Sequence, residues 1–170
     1  MLENIKDFEP QPTYESMEKG PVVTKMEITK MSAYEMYLGH VELWKWLSLN
    51  PERQREDWPG WVNYTLKGYD YSPMNDDCCF GCEYSSAQMD LGLPSCCSGG
   101  RCIVLWGPDI GCCGGYPHHI KGKDTRTPYQ KWNNAISNTE RAEQARLCSE
   151  LPFNSEIHGD PLEKSSLTKG

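Results

Sequence analysis

Long apolar runs are missing from this chain. The longest is CIVLW (102–106), far short of the roughly 20 residues that span a bilayer, so no membrane association is expected. Bulky hydrocarbon is scarce as well: three Phe in 170 residues, a hydrophobic fraction of 38% and a mean hydropathy of −0.68. Such a chain can bury only a modest core, and its six Trp and nine Tyr must supply much of it. Positive charge is in deficit. Seventeen Lys and Arg face 24 Asp and Glu, for a net charge of −7, which argues against a general phosphate-binding surface. That excess of acid is also too small for a DNA mimic. The opening MLENIKDFEPQP is mixed and acidic and does not read as a secretory signal. A cytoplasmic location with reducing conditions follows as the expectation. Also absent are GxSxG, a phosphate-binding glycine loop and HExxH.

What the chain does have is cysteine. Six fall within residues 78–102, and Cys112, Cys113 and Cys148 bring the total to nine. An odd number cannot pair completely within one chain, and a reducing compartment removes most of the case for disulfides. Thiolate ligation of a metal takes its place. Cys79-Phe80-Gly81-Cys82 is a CxxC, whose tight turn aims two sulfurs at one ion, with glycine suiting a positive φ. Cys97 and Cys102 form a wider second pair around two glycines. Four thiolates meet the requirement of a structural zinc site, and the separation of the pairs is of the zinc-ribbon kind. Cys112 or Cys113 can stand in for Cys97, and the surplus thiols with His118 or His119 allow a second ion beside the first. None of the familiar iron–sulfur spacings is present. Zinc bonding also offsets the weak core, by on the order of 10 kcal/mol in small domains.

The rest of the chain organises around that block. At 170 residues it reads as one domain with tails: a flexible leader over 1–20, a domain over 21–152 and a disordered tail over 153–170. VVTKMEIT (22–29) is rich in β-branched residues and predicts a short strand. Ser32 and Glu35 have capping-box spacing. Tyr37, Val41, Trp44 and Leu47 recur at helical spacing, and Asn50-Pro51 closes a helix over roughly 33–49. His40 lies on its apolar edge and is expected to pack in the core. Trp58 and Trp61 flank a Pro-Gly turn; they are expected to pack on this helix, with a binding platform as the alternative. Thr127-Pro128 reads as an N-cap with proline at the first helical position. Ser137 and Glu140 open a further helix that stops before Pro152, with Cys148 facing inward.

Chemistry elsewhere is thin. YPHHIKGKD (116–124) is similar to the start of an HNH nuclease motif, but the downstream histidine is missing, and a metal-dependent nuclease is the third-ranked reading. A CxxC can also be a redox pair, though no βαβ unit surrounds this one. Lys121, Lys123 and Arg126, with Lys131, beside His118 and His119 make one basic loop in an acidic protein. Phosphate contacts there give the second-ranked reading, a nucleic-acid-binding zinc module.

Taken together, HVELWKWLSLNP, EDWPGW, CFGCEYSS, CIVLW and YQKWNNA with RAEQARLCSELP resemble small cysteine-rich proteins of phages and prophages over about residues 38–152. In this chain the second knuckle is stretched to CCSGGRC, and Ile103 stands where the pattern has proline. The resemblance implies a zinc-knuckle fold and an accessory role in an infected or lysogenic bacterial host, without a defined activity. The expectation is therefore a small, irregular α+β fold in which a zinc-ribbon or knuckle-like block packs with an N-terminal helix and C-terminal helices. The expected function is non-enzymatic: a phage accessory protein that binds a host protein and inhibits a defence or transcription factor.

Overall fold

The computed structural model describes residues 24–75, 78–90, 101–106, 112 and 126–161. The leader over 1–20, the candidate ligands Cys97, Cys113, His118 and His119, and the loop lysines Lys121 and Lys123 lie outside the described residues. Those described form a small mixed α+β fold with five helices and a three-stranded sheet.

The central element is α1 (Ala33–Leu49), with the bounds its sequence signals set. Ser32 Oγ accepts the Glu35 amide at 3.1 Å, and the Glu35 carboxylate accepts the Ser32 amide at 3.3 Å, completing the capping box. Met36, Gly39, His40, Leu43, Trp44 and Leu47 are buried along one face. Two later helices, α2 (Phe80–Asp90) and α4 (Asn138–Glu150), pack against α1, and α3 (Pro128–Asn134) packs against α4. Thr127 caps α3, with Pro128 in its first turn, and the Ser137 hydroxyl accepts the Glu140 amide to cap α4. Trp44 and Trp132 meet edge to face at 5.0 Å, joining α1 to α3.

Of the strand predicted over 22–29, the described residues 24–29 contain β1 (Met26–Glu27), which runs parallel to β2 (Tyr64–Leu66); β2 pairs antiparallel with β3 (Tyr69–Asp70). Lys67 and Gly68 connect β2 to β3 with φ of 53° and 86°, the left-handed pair that a two-residue hairpin turn requires. The Glu27 carboxylate holds that turn, accepting the Lys67 amide at 2.8 Å and the Gly68 amide at 3.0 Å.

Two expectations need correction. The tail read as disordered from 153 begins with packed structure. Phe153 forms an antiparallel bridge with Val104, Asn154 is 2% exposed, and α5 (Ser155–His158) follows. Polarity misled that reading, because the buried groups here are backbone and amide rather than apolar. The CxxC stretch, expected to be a turn of a cysteine knuckle, opens the eleven-residue helix α2 instead.

Candidate thiol centre

The start of α2 is fixed by a buried polar chain. Tyr71 donates its hydroxyl to Glu83 Oε1 at 2.7 Å and accepts the Cys78 amide at 2.9 Å. Glu83 is 4% exposed, so this link between the hairpin and the first turn of α2 lies within the protein interior. Cys78 takes a positive φ of 44°, a conformation that L side chains rarely adopt, and turns the chain sharply into the helix. The Cys78 thiol contacts Glu56 Oε1 at 3.6 Å. Burial pushes it up to about 11, with Arg55 opposing and Glu56 assisting, so it stays protonated.

Cys79 then occupies the position that Ser or Thr fills at most helix starts. Its carbonyl accepts the Glu83 amide at 2.9 Å, and its sulfur accepts the amides of Gly81 and Cys82 together with the Cys82 thiol. The Cys82 hydrogen bond is the main reason that Cys79 is lowered to about 6. Burial works against the charge, and the Arg55 guanidinium and the two amides favour it. Arg55 itself stacks over the Tyr129 ring at 5.2 Å, which anchors its charge next to the thiols.

Cys102 arrives from the other side. Its carbonyl accepts the Asn154 side-chain amide at 2.9 Å, and the Ile103 carbonyl accepts the Asn154 backbone amide at 2.9 Å. The misread tail thus positions this cysteine. A β-carbon added at Gly81 would come within 2.9 Å of Cys102 Sγ and 3.8 Å of Cys79 Sγ. Gly81 is helical and outside the positive-φ positions, so its glycine provides space for two converging sulfurs, not the turn expected from sequence. Cys148, fully buried on α4, faces the same region; burial raises its pKa well above the ordinary thiol range, and the Cys79 charge adds to that. Its carbonyl is the partner of His40 Nε2 at 3.0 Å. Cys112 is half-buried, and its carbonyl accepts the Thr127 hydroxyl.

The donor chemistry suits a soft divalent ion: Cys79 and Cys82 share the start of α2, and the Cys102 sulfur lies close to Gly81 between them. Among the described residues, however, no three His, Cys, Asp or Glu side chains stand close enough together to hold an ion. The expected set of Cys79, Cys82, Cys97 and Cys102 is thus brought together as far as the first pair, with Cys102 adjacent. Sequence reasoning missed Arg55 and Glu83, which carry no motif, and the nearness of Cys148, which only the packing of α4 creates.

The expected binding residues fare differently. Trp58 and Trp61 are 8% and 3% exposed and close around Phe80, with ring centroids 5.9 and 5.0 Å away. Their rings belong to the core, where aromatic mass replaces the missing aliphatics. Arg126 is exposed. No described helix is long and apolar enough to cross a membrane. Comparison with protein families, with curated proteins and with solved structures gives no match to this chain.

Proposed function

We propose that the protein is a non-enzymatic accessory protein of phage type, in which Cys79, Cys82 and Cys102 hold a structural zinc ion and the surface binds a host protein. The observation that carries this reading is the approach of the Cys79 and Cys102 sulfurs to Gly81, beside Cys82 in the first turn of α2, in a fold with little aliphatic core. A fourth thiolate from Cys97, Cys112 or Cys113 completes the set. The ion would tie the first turn of α2 to the Cys102 segment and so compensate for the small core. The Cys82 hydrogen bond, the Arg55 guanidinium and the Cys82 and Gly81 amides shift Cys79 toward the thiolate that metal binding uses. The partner reading rests on the phage resemblance and on large apolar side chains left outside the core, among them Leu49, Tyr69, Met74 and Ile136 at 80% exposure or more. The proposed target is a defence or transcription component in the host cytoplasm.

Native mass spectrometry of protein purified without chelator tests the metal. One zinc per chain is expected, reduced or lost in Cys82→Ser. A metal-free wild-type protein that unfolds at the same temperature with and without added zinc overturns it. The partner is tested by recovery from host lysate with wild type and with Ile136→Glu and Tyr69→Glu variants. A single host protein, recovered by the wild type and lost with one of these folded variants, is the expected result; equal recovery by all three counts against it.

A further inference from the structure

We propose that the groove between α1 and β1 docks a basic amphipathic helix, which seats apolar side chains against Leu38 and Met26 and pairs two cationic side chains with Glu35 and Glu42. The groove has a volume of about 380 Å³. Its sheet wall includes Met26 and Tyr64, register partners in the parallel β1–β2 pair. Its helix wall is Glu35, Leu38, Gly39 and Glu42, which the spacing i, i+3, i+4 and i+7 brings to one face of α1. Leu38 is 46% exposed and Met26 39% exposed. Two large apolar side chains therefore stand at the groove with part of their surface still in water.

Charge selects the occupant. Among the described lining residues the charged ones are Glu35 and Glu42, both acids. Glu42 makes no hydrogen bond or ion pair among the described residues, and Glu35 uses one oxygen on the Ser32 amide at 3.3 Å. Lys25 does not neutralise them: alternation along the strand turns it to the side opposite Met26, where it pairs with Asp70 at 2.7 Å. An acidic groove in a chain of net charge −7 attracts a basic surface and repels another copy of itself. Spacing selects the conformation. Glu35 and Glu42 stand seven residues apart on α1, about 10.5 Å along its axis. A helical partner presents positions i and i+7 on one face with the same rise, and i+3 and i+4 lie between them for the apolar contact. Same-face positions of an extended strand fall at about 6.7 or 13.4 Å and miss one carboxylate. Arginine suits both ends, because its guanidinium forks onto a carboxylate while its stem covers apolar surface.

This inference rests on the reading that the surface binds a protein, and it involves none of the thiols. The test titrates the full chain into a fluorescent, alanine-rich helical peptide with two arginines seven residues apart and two leucines between them on the same face, followed by anisotropy. Saturable binding is expected, weakening as salt rises, and weaker again when both arginines are replaced by glutamine. Glu35→Gln keeps the capping-box hydrogen bond while removing the charge, and Glu42→Gln removes the other charge; each should raise the Kd by about twofold to fivefold. Leu38→Ser should raise it by about threefold to tenfold, for the loss of a half-exposed leucine contact. Amide shifts on peptide binding should cluster over residues 24–26, 35–42 and 63–64.

No saturation below about 1 mM, equal binding of the glutamine peptide, or amide shifts elsewhere overturns the proposal. Tighter binding of an extended peptide with arginines on alternate residues overturns the helical occupant. A dimer of the peptide-free protein in ultracentrifugation that Leu38→Ser dissolves gives the groove to a second copy and overturns it as well. Should a variant fail to fold by circular dichroism, the salt dependence, the glutamine peptide and the shift map on the wild type decide. Recovery from host lysate separates this inference from the broader reading. A single host protein retained by folded Leu38→Ser and Glu42→Gln variants sinks the groove and leaves the partner reading, and peptide binding at the groove with no host protein recovered does the reverse.

Discussion

Gly39→Ala is the sharpest structural perturbation available, because two effects of known sign oppose each other at one atom. Gly39 sits in the middle of α1 and faces α2, where Phe80 is fully buried. An added β-carbon would come 2.6, 2.7 and 2.9 Å from three carbons of the Phe80 ring. Ordinary carbon contacts are about 3.5–4.0 Å, so the ring must retreat by roughly 1 Å. It has little room, since Trp61 stacks on it at 5.0 Å and Tyr64 meets it edge-on at 5.1 Å. Overpacking of this kind costs about 1–3 kcal/mol, while replacing a mid-helix glycine by alanine returns up to about 1 kcal/mol. The net expectation is a loss of about 1–2 kcal/mol, read as a lowered urea midpoint followed by tryptophan fluorescence, or a fall in Tm of a few degrees. Adding Phe80→Leu to Gly39→Ala should cost less than the two separate losses summed, because the clash is removed. Equal or greater stability of Gly39→Ala would refute the reasoning, since it would mean that α1 and α2 do not approach as closely as described.

Other consequences follow from single groups. Burial lowers His40 to about 4 against its hydrogen bond with Cys148, while the unfolded chain protonates near 6.5. That stability is therefore whole above pH 6.5 and falls by about 3 kcal/mol as pH drops toward 4; urea midpoints across this window should flatten in a folded His40→Gln variant relative to wild type. Burial works against the Glu27 charge, but the Gly68 and Lys67 amides and the Thr29 and Thr65 hydroxyls outweigh it and hold Glu27 at about 2. Its contribution is present above pH 4.5 and disappears as pH falls toward 2; because the group is largely solvent-screened, Glu27→Gln should cost under about 1 kcal/mol at pH 7 in the same assay. Asn154→Ala leaves the Cys102 carbonyl without its amide donor, with an expected loss of about 1–3 kcal/mol. The Cys102 thiol should then react faster with an aromatic disulfide reagent than in the wild type, and an unchanged rate would show that the 153–158 segment does not position it.

The sequence by itself determined the helices whose ends are written in local chemistry. The Ser32, Thr127 and Ser137 hydroxyls each accept an orphan amide three residues on, and Pro128, with no amide to satisfy, suits the first helical position, so those boundaries were legible without any tertiary information. It also determined that aromatic rings would fill the core and that His40 would lie inside it. Only the tertiary structure decided the environment of the cysteines. CxxC is compatible with a turn or with the first turn of a helix. The choice depended on Tyr71 and Glu83 holding Cys78, partners that lie up to 12 residues apart in sequence. The 153–158 segment looked like a tail because it is polar, yet its backbone and Asn154 amide bond to Ile103 and Cys102 some 50 residues away. Gly81 carried the wrong reason in sequence, since conformational freedom and empty space call for the same residue. Local capping is set by neighbours along the chain, whereas the approach of one sulfur to another is set by which helix faces pack, and that is fixed only once α1, α2 and α4 have closed around their shared core.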